Sequence, residues 1–144
     1  MGRKTDILRA TASLGAFLAL VASLSEHASE PAHSFAAELE TGWATYYTAE
    51  SCQREGTSGV WTASGEKYRE QSMTCALPHR RFGQTYRVQS LKTGRSVAVR
   101  HNDFGPSEKC RRRGVVVDLT PRAFSELGHP LSEGRIKVSV VEIE

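Results

Sequence analysis

Nothing in these 144 residues repeats, and no tract is of low complexity. Cysteine is scarce, with three in the chain, and methionine and tryptophan occur twice each. No C-x-x-C or H-x-x-x-H spacing occurs, so the sequence offers no metal site, and no cofactor is expected. Charge of one sign is also lacking. Nineteen basic against sixteen acidic side chains leave a formal net charge of +3, a mild bias toward anionic partners that does not mark a nucleic-acid binder. A long apolar run is missing too: "ASLGAFLALVASL" (12–24) is too short for a membrane span.

What is present begins with that run. Arg3, Lys4 and Arg9 precede it and small residues follow it, the pattern of a secretory signal peptide; a buried helix is the alternative. Residues 1–34 are read as signal and processing region, 35–41 as a linker, and 42–144 as one domain. No cysteine directly follows the apolar run, so no lipid anchor is expected. The expectation is an exported monomer, periplasmic or secreted. In an oxidising compartment cysteines can pair, but three is odd and allows at most one bridge within the chain. Cys52 with Cys75 is the preferred pair, because the polar loop between them would gain about 3 kcal/mol from a tie.

Strand signals dominate the domain. "GWATYYT" (42–48) is aromatic and β-branched and runs into a polar loop, "AESCQREGTSG". "TYRVQSL" (85–91) and "SVAVRH" (96–101) alternate on either side of "KTGR", which predicts a hairpin turning at Gly94. "GVVVDL" (114–119) and "RIKVSVVEI" (135–143) are further strands. Thr120, Pro121 and Gly128 frame a short helix as N-cap, first residue and terminator. Short strands, one or two small helices and long polar loops point to a small β-barrel.

These segments, with "TASGEKY" (62–68), "FGQTYRVQSLKTGRSVAVRHNDFGP" (82–106) and "GVVVDLTPRAF" (114–124), resemble the barrel of the rare lipoprotein A (RlpA) family, related to expansins. The resemblance covers Gly42 to Ile143. It implies a mainly β fold, a six-stranded double-psi β-barrel with one or two short helices. It further implies a peptidoglycan lytic transglycosylase acting on cell-wall glycan, with a non-catalytic, expansin-like wall-binding module as the alternative. "SCQREGTSG" and "MTCA" resemble a branch of the family with a cysteine pair there, which supports Cys52–Cys75.

Residue by residue, the resemblance makes Asp103 of "NDFGP" the acid/base and Asp118 of "VDLT" the match of an aspartate essential in expansin-like proteins. At the position of the histidine that lytic members pair with the acid, this sequence has Leu77, and His79 lies two residues later. Phe104 replaces the family's usual arginine. Tyr46, Tyr47, Thr62, Ser64, Glu66, His101, Asn102 and Gly105 are the candidate substrate contacts. Tyr46 and Tyr47 point to opposite faces of a strand, so at most one lines a groove. For Asp103 a turn cap, for Asp118 a helix-capping role and for "TASGE" a plain polar loop remain open. His79 and His129 are read as surface histidines, and the cations of "KCRRR" (109–113) as a solvated loop or an attachment point for anionic wall polymers.

Overall fold

The computed structural model describes residues 39–56 and 59–143. The expected signal region, residues 1–34, lies outside the described residues, as does the linker up to residue 38. The remainder of that linker is not a linker: β1 (Glu40–Tyr46) already begins there.

Six strands close a barrel in the order β1, β5 (Val115–Leu119), β2 (Thr74–Leu77), β4 (Ser96–Phe104), β3 (Thr85–Ser90) and β6 (Arg135–Ile143). Two pairings are parallel, β1 with β5 and β2 with β4, and the others are antiparallel. The expected hairpin forms, with Tyr86 opposite Val99, Val88 opposite Val97, and Gly94 at φ +73° in its turn. Alternation sends Val88, Val99, Val117, Leu119 and Val138 inward, where none has exposed surface. Along β6, Ile136, Val138 and Val140 are buried as expected, and its register with β3 is unbroken.

β2 was not expected as a strand. It has four residues, all buried, so it carries no alternation to read. β4 runs past His101 to Phe104, so "HND" is strand and not turn. A bulge beside Asn102 shifts its register against β2.

Three short α-helices join the strands. α3 (Pro121–Glu126) is the expected one, capped by Thr120. α1 (Ala49–Arg54) and α2 (Glu108–Arg111) form inside segments expected to be loops. Thr48 and Ser51 make a reciprocal capping box for α1, and Ser107 caps α2. Phe124 of α3 has no exposed surface and meets the Tyr46 ring edge-on at 5.3 Å, closing one end of the core.

The Cys52–Cys75 bridge is not formed, and none of the three cysteines is in a disulfide. Cys75 is fully buried in the core cluster and packs there as a small apolar side chain, while Cys52 sits on α1. His129 is buried, not on the surface. Its Nε2 lies 2.8 Å from Ser90 Oγ and its Nδ1 2.9 Å from Glu133 Oε2. Serine, histidine and acid stand in a hydrolase's order, yet Ser90 has no exposed surface and accepts the N–H groups of Lys92 and Thr93. The chain of bonds clamps the hairpin turn to the 3₁₀ turn at Leu131–Glu133.

Phe124→Ala removes the largest fully buried side chain. It is expected to lower the urea-unfolding free energy by about 3–5 kcal/mol. A loss under about 1 kcal/mol would show that α3 does not seal the core.

Candidate active site

Ala76 on β2 pairs with Asp103 on β4 on one side and with Asp118 on β5 on the other. Asp118 pairs in turn with Thr45 on β1, and Thr45 with Arg135 on β6. Cross-strand partners share a face, so one row runs Arg135, Thr45, Asp118, Ala76, Asp103. The two aspartates stand two strands apart, about 9.5 Å between Cα atoms at ordinary strand spacing.

Their environments differ. Thr45 Oγ1 donates a hydrogen bond to Asp118 Oδ1. Burial pushes the Asp118 carboxyl up to about 6, an effect the Thr45 bond opposes and the nearby Glu55 and Asp103 charges reinforce. Gly105 leaves room for this carboxyl: a Cβ there would lie 3.2 Å from Asp118 Oδ2 and 3.4 Å from Ala76 Cβ. Gly105 is itself buried, and what the structure shows of it is this clearance. Asp103 is half-buried, and its Oδ1 accepts the N–H groups of Ala63 at 2.9 Å and Phe104 at 2.8 Å.

The Ala63 bond belongs to a larger lock. The 62–66 loop folds back over β4 through Ser64 N to Asn102 O, 3.1 Å. Glu66 forms a two-point pair with Arg100 at 2.6 and 2.7 Å and accepts from Asn102 Nδ2 at 3.1 Å. Those bonds, Arg100 first, hold the Glu66 carboxyl down to about 2. Thr62 is buried, and its hydroxyl contacts Ser64 Oγ at 3.0 Å and donates to Glu66 O at 3.2 Å. Thr62, Ser64 and Glu66 are thus the fastening of the loop. Beside it, Glu66, Arg69, Met73, Thr74, Arg100 and Asn102 line an open cleft of about 530 Å³.

Of the two tyrosines, Tyr46 packs on Phe124 and Tyr47 turns to the site. Tyr47 stacks on Tyr68 at 5.0 Å, and the Tyr68 hydroxyl donates to Tyr47 O at 2.6 Å. The Tyr47 hydroxyl is buried without a partner among the described residues, and burial, with Asp103 next, raises its pKa. His101 lies inside the fold. It is fully buried, with Nδ1 3.0 Å from Arg81 O and Nε2 2.9 Å from Asp103 O, so it braces the strand under Asp103. His79 packs edge-on against His101 at 4.7 Å and contacts the Tyr86 hydroxyl at 3.3 Å.

Thr45, Tyr68, Ala76 and Arg100 were not singled out in the sequence. Strand alternation puts Arg100 two residues from Asn102, and opposite charge makes it a partner for Glu66. Nothing local marks Ala76. Among the described residues no three His, Cys, Asp or Glu side chains cluster to hold a metal ion.

The raised Asp118 value links protonation to stability. Below pH 3.8 the carboxyl is protonated in both folded and unfolded chains. Between pH 3.8 and about 6 the unfolded chain has given up its proton while the folded chain keeps it, so the folded state loses ground, by up to about 3 kcal/mol at 1.36 kcal/mol per unit, and the loss is complete above about 6. Asp118→Asn removes that loss. Its urea stability relative to the native chain should therefore improve between about pH 4 and about pH 7. A difference that stays constant across that range would contradict a buried Asp118 carboxylate.

A family model described as lytic transglycolase matches residues 39–140. Two curated proteins that the chain is similar to are both described as probable endolytic peptidoglycan transglycosylase RlpA. The one from Nostoc sp. is 42% identical over 74 residues, covering 51% of this chain and 19% of that protein. The one from Synechocystis sp. is 34% identical over 88 residues, covering 60% of this chain and 26% of that protein. The chain thus matches about a fifth to a quarter of these relatives' length. Among solved structures, the Streptomyces papain inhibitor superposes with a TM-score of 0.55 at 22% identity, covering 74% of this chain and 96% of that one. The Clavibacter michiganensis expansin superposes at 0.53 and 20%, covering 74% and 51%. A point variant of that expansin in complex with cellohexaose gives the same figures. At these identities the structural likeness shows a shared fold. The family match spans nearly the whole barrel, and the chain belongs to the lytic transglycolase family of double-psi β-barrels.

Proposed function

We propose that this barrel is an exported peptidoglycan lytic transglycosylase that cuts MurNAc–GlcNAc bonds and leaves 1,6-anhydro-muramyl ends. The observation that carries the reading is the pair of carboxylates in one row, one of them raised to about 6 by burial. Such a reaction needs an acid that is protonated when substrate arrives. Asp118 supplies its proton to the glycosidic oxygen as the C1–O bond breaks. The muramyl C6 oxygen then bonds to C1, and its proton passes to a carboxylate, for which Asp103 is the candidate. No water enters the bond-making step. The expectation of a single acid/base at Asp103 thus becomes a division of labour. Asp103 is held in place by the Ala63 and Phe104 N–H groups, and Asp118 is set up by burial.

Phe104, exposed beside Asp103 with the Arg80 guanidinium 4.9 Å from its ring centroid on one side, and Tyr47 are the aromatic side chains for sugar rings. The N-terminal 34 residues act as the export signal and deliver the domain to the periplasm or the medium as a monomer. A second reading, a wall-binding barrel that does not cut, is favoured by the histidines. His101 is sealed beneath Asp103, and His79 packs behind it.

Digestion of purified sacculi by the domain, with mass spectrometry of the soluble products, separates the two. The native chain should release anhydro-muropeptides. Asp103→Asn and Asp118→Asn should each release at least about 100-fold less. The rate should fall about tenfold per pH unit above about 6, as Asp118 loses its proton. Sedimentation with the sacculi and no soluble product from any variant would leave the binding reading and remove the enzyme.

A further inference from the structure

The carboxylate row ends on a cation, and more cations lie beyond it. Arg135 is the β6 partner of Thr45, and Lys137, two residues on, is the β6 partner of Trp43. Both point to the same side of the sheet. The Arg135 guanidinium lies 4.6 Å and the Lys137 ammonium 4.4 Å from the Trp43 ring centroid. Trp43 also meets the start of β5: its backbone N–H donates to Gly114 O at 2.8 Å, and a Cβ on Gly114 would lie 3.5 Å from its ring. Arg111 and Arg113 lead into that glycine and are exposed. Arg112 is paired with Glu108, but Arg111, Arg113, Arg135 and Lys137 have no ion-pair partner among the described residues. With two cations over its ring, Trp43 presents charge and not a bare aromatic face. Two cations over one ring, with two more exposed on the turn that leads into Gly114, repel one another unless an anion bridges them.

We propose that this strip, Arg135 and Lys137 with the 111–113 turn around Trp43, docks an acidic polysaccharide whose repeating units carry carboxylates, and feeds it toward Asp118. Charge complementarity argues for the partner: guanidinium groups take carboxylates at two points. Continuity argues for the direction, since Arg135 is both the end of the strip and the end of the catalytic row. The inference rests on the reading of that row as glycan-directed. A neutral glycan has nothing to offer the strip. A polyanion of another class would be held by field alone.

The test is binding of the domain to polygalacturonate by calorimetry, at low and at about physiological salt, with cello-oligosaccharides and a single-stranded oligonucleotide as comparisons. Native protein should bind the polyuronate, weaken as salt rises, and ignore the neutral sugar. Arg135→Gln with Lys137→Gln should weaken binding about tenfold, the order expected for two exposed charge pairs, with an unchanged melting temperature. Arg111→Gln with Arg113→Gln is the second, independent pair and should act likewise. Equal affinity of native and both double variants would overturn the proposal, as would equal binding of the oligonucleotide or of the neutral sugar. A native domain that binds polyuronate through the strip yet releases nothing from sacculi would remove the cleavage reading and leave the docking surface standing.

Discussion

The site depends on a four-residue strand. β2 is inserted between β4 and β5, parallel to one and antiparallel to the other, and its register fixes which residues of both strands stand side by side. Because Ala76 meets Asp103 and Asp118 at once, two acids far apart in sequence share one face. A slip of one residue would send the pair to opposite faces. Small size matters as much as register: the Asp118 carboxyl occupies the space over Gly105 and Ala76 that larger residues would fill. The buried acid follows first from backbone pairing and missing side-chain volume, with the Glu55 and Asp103 charges adding to the same effect.

Around that row the molecule uses charge to hold shape. The Glu66–Arg100–Asn102 bonds fasten the 62–66 loop to β4, and the loop returns an N–H to Asp103. His101 braces the same strand from below through the Asp103 carbonyl. Asp103 is therefore fixed from two sides before any ligand arrives, which is the arrangement that electrostatic catalysis requires. The cationic strip past Arg135 lies outside this lock, and its charges are free to meet a partner.

The barrel was largely legible in the sequence. The β3–β4 hairpin, β5, β6 and the Thr120-capped helix each carry their period or punctuation in a few adjacent residues. The aspartates were legible too, through the motifs that carry the family resemblance. What escaped had no local signal. β2 is buried on both sides and too short to alternate. α1 and α2 are set by single capping serines and threonines inside polar stretches. Glu66 and Asn102 look like free polar groups until the 62–66 loop folds over β4 and sets Glu66 against Arg100, and His101 looks like a strand-end ligand until the strand continues three residues past it. The expected cysteine bridge fails for the same kind of reason: Cys75 lies on the inward-facing side of β2, a fact that loop length does not carry.

The central claim is that burial beside Ala76 and Gly105 gives this fold a carboxylic acid that titrates near pH 6. Titrating the Asp118 side-chain carboxyl by carbon-13 NMR, with Asp118→Asn to assign the signal, tests it most directly. The account predicts a midpoint near 6. A midpoint at the ordinary aspartate value, about 3.9, would contradict it.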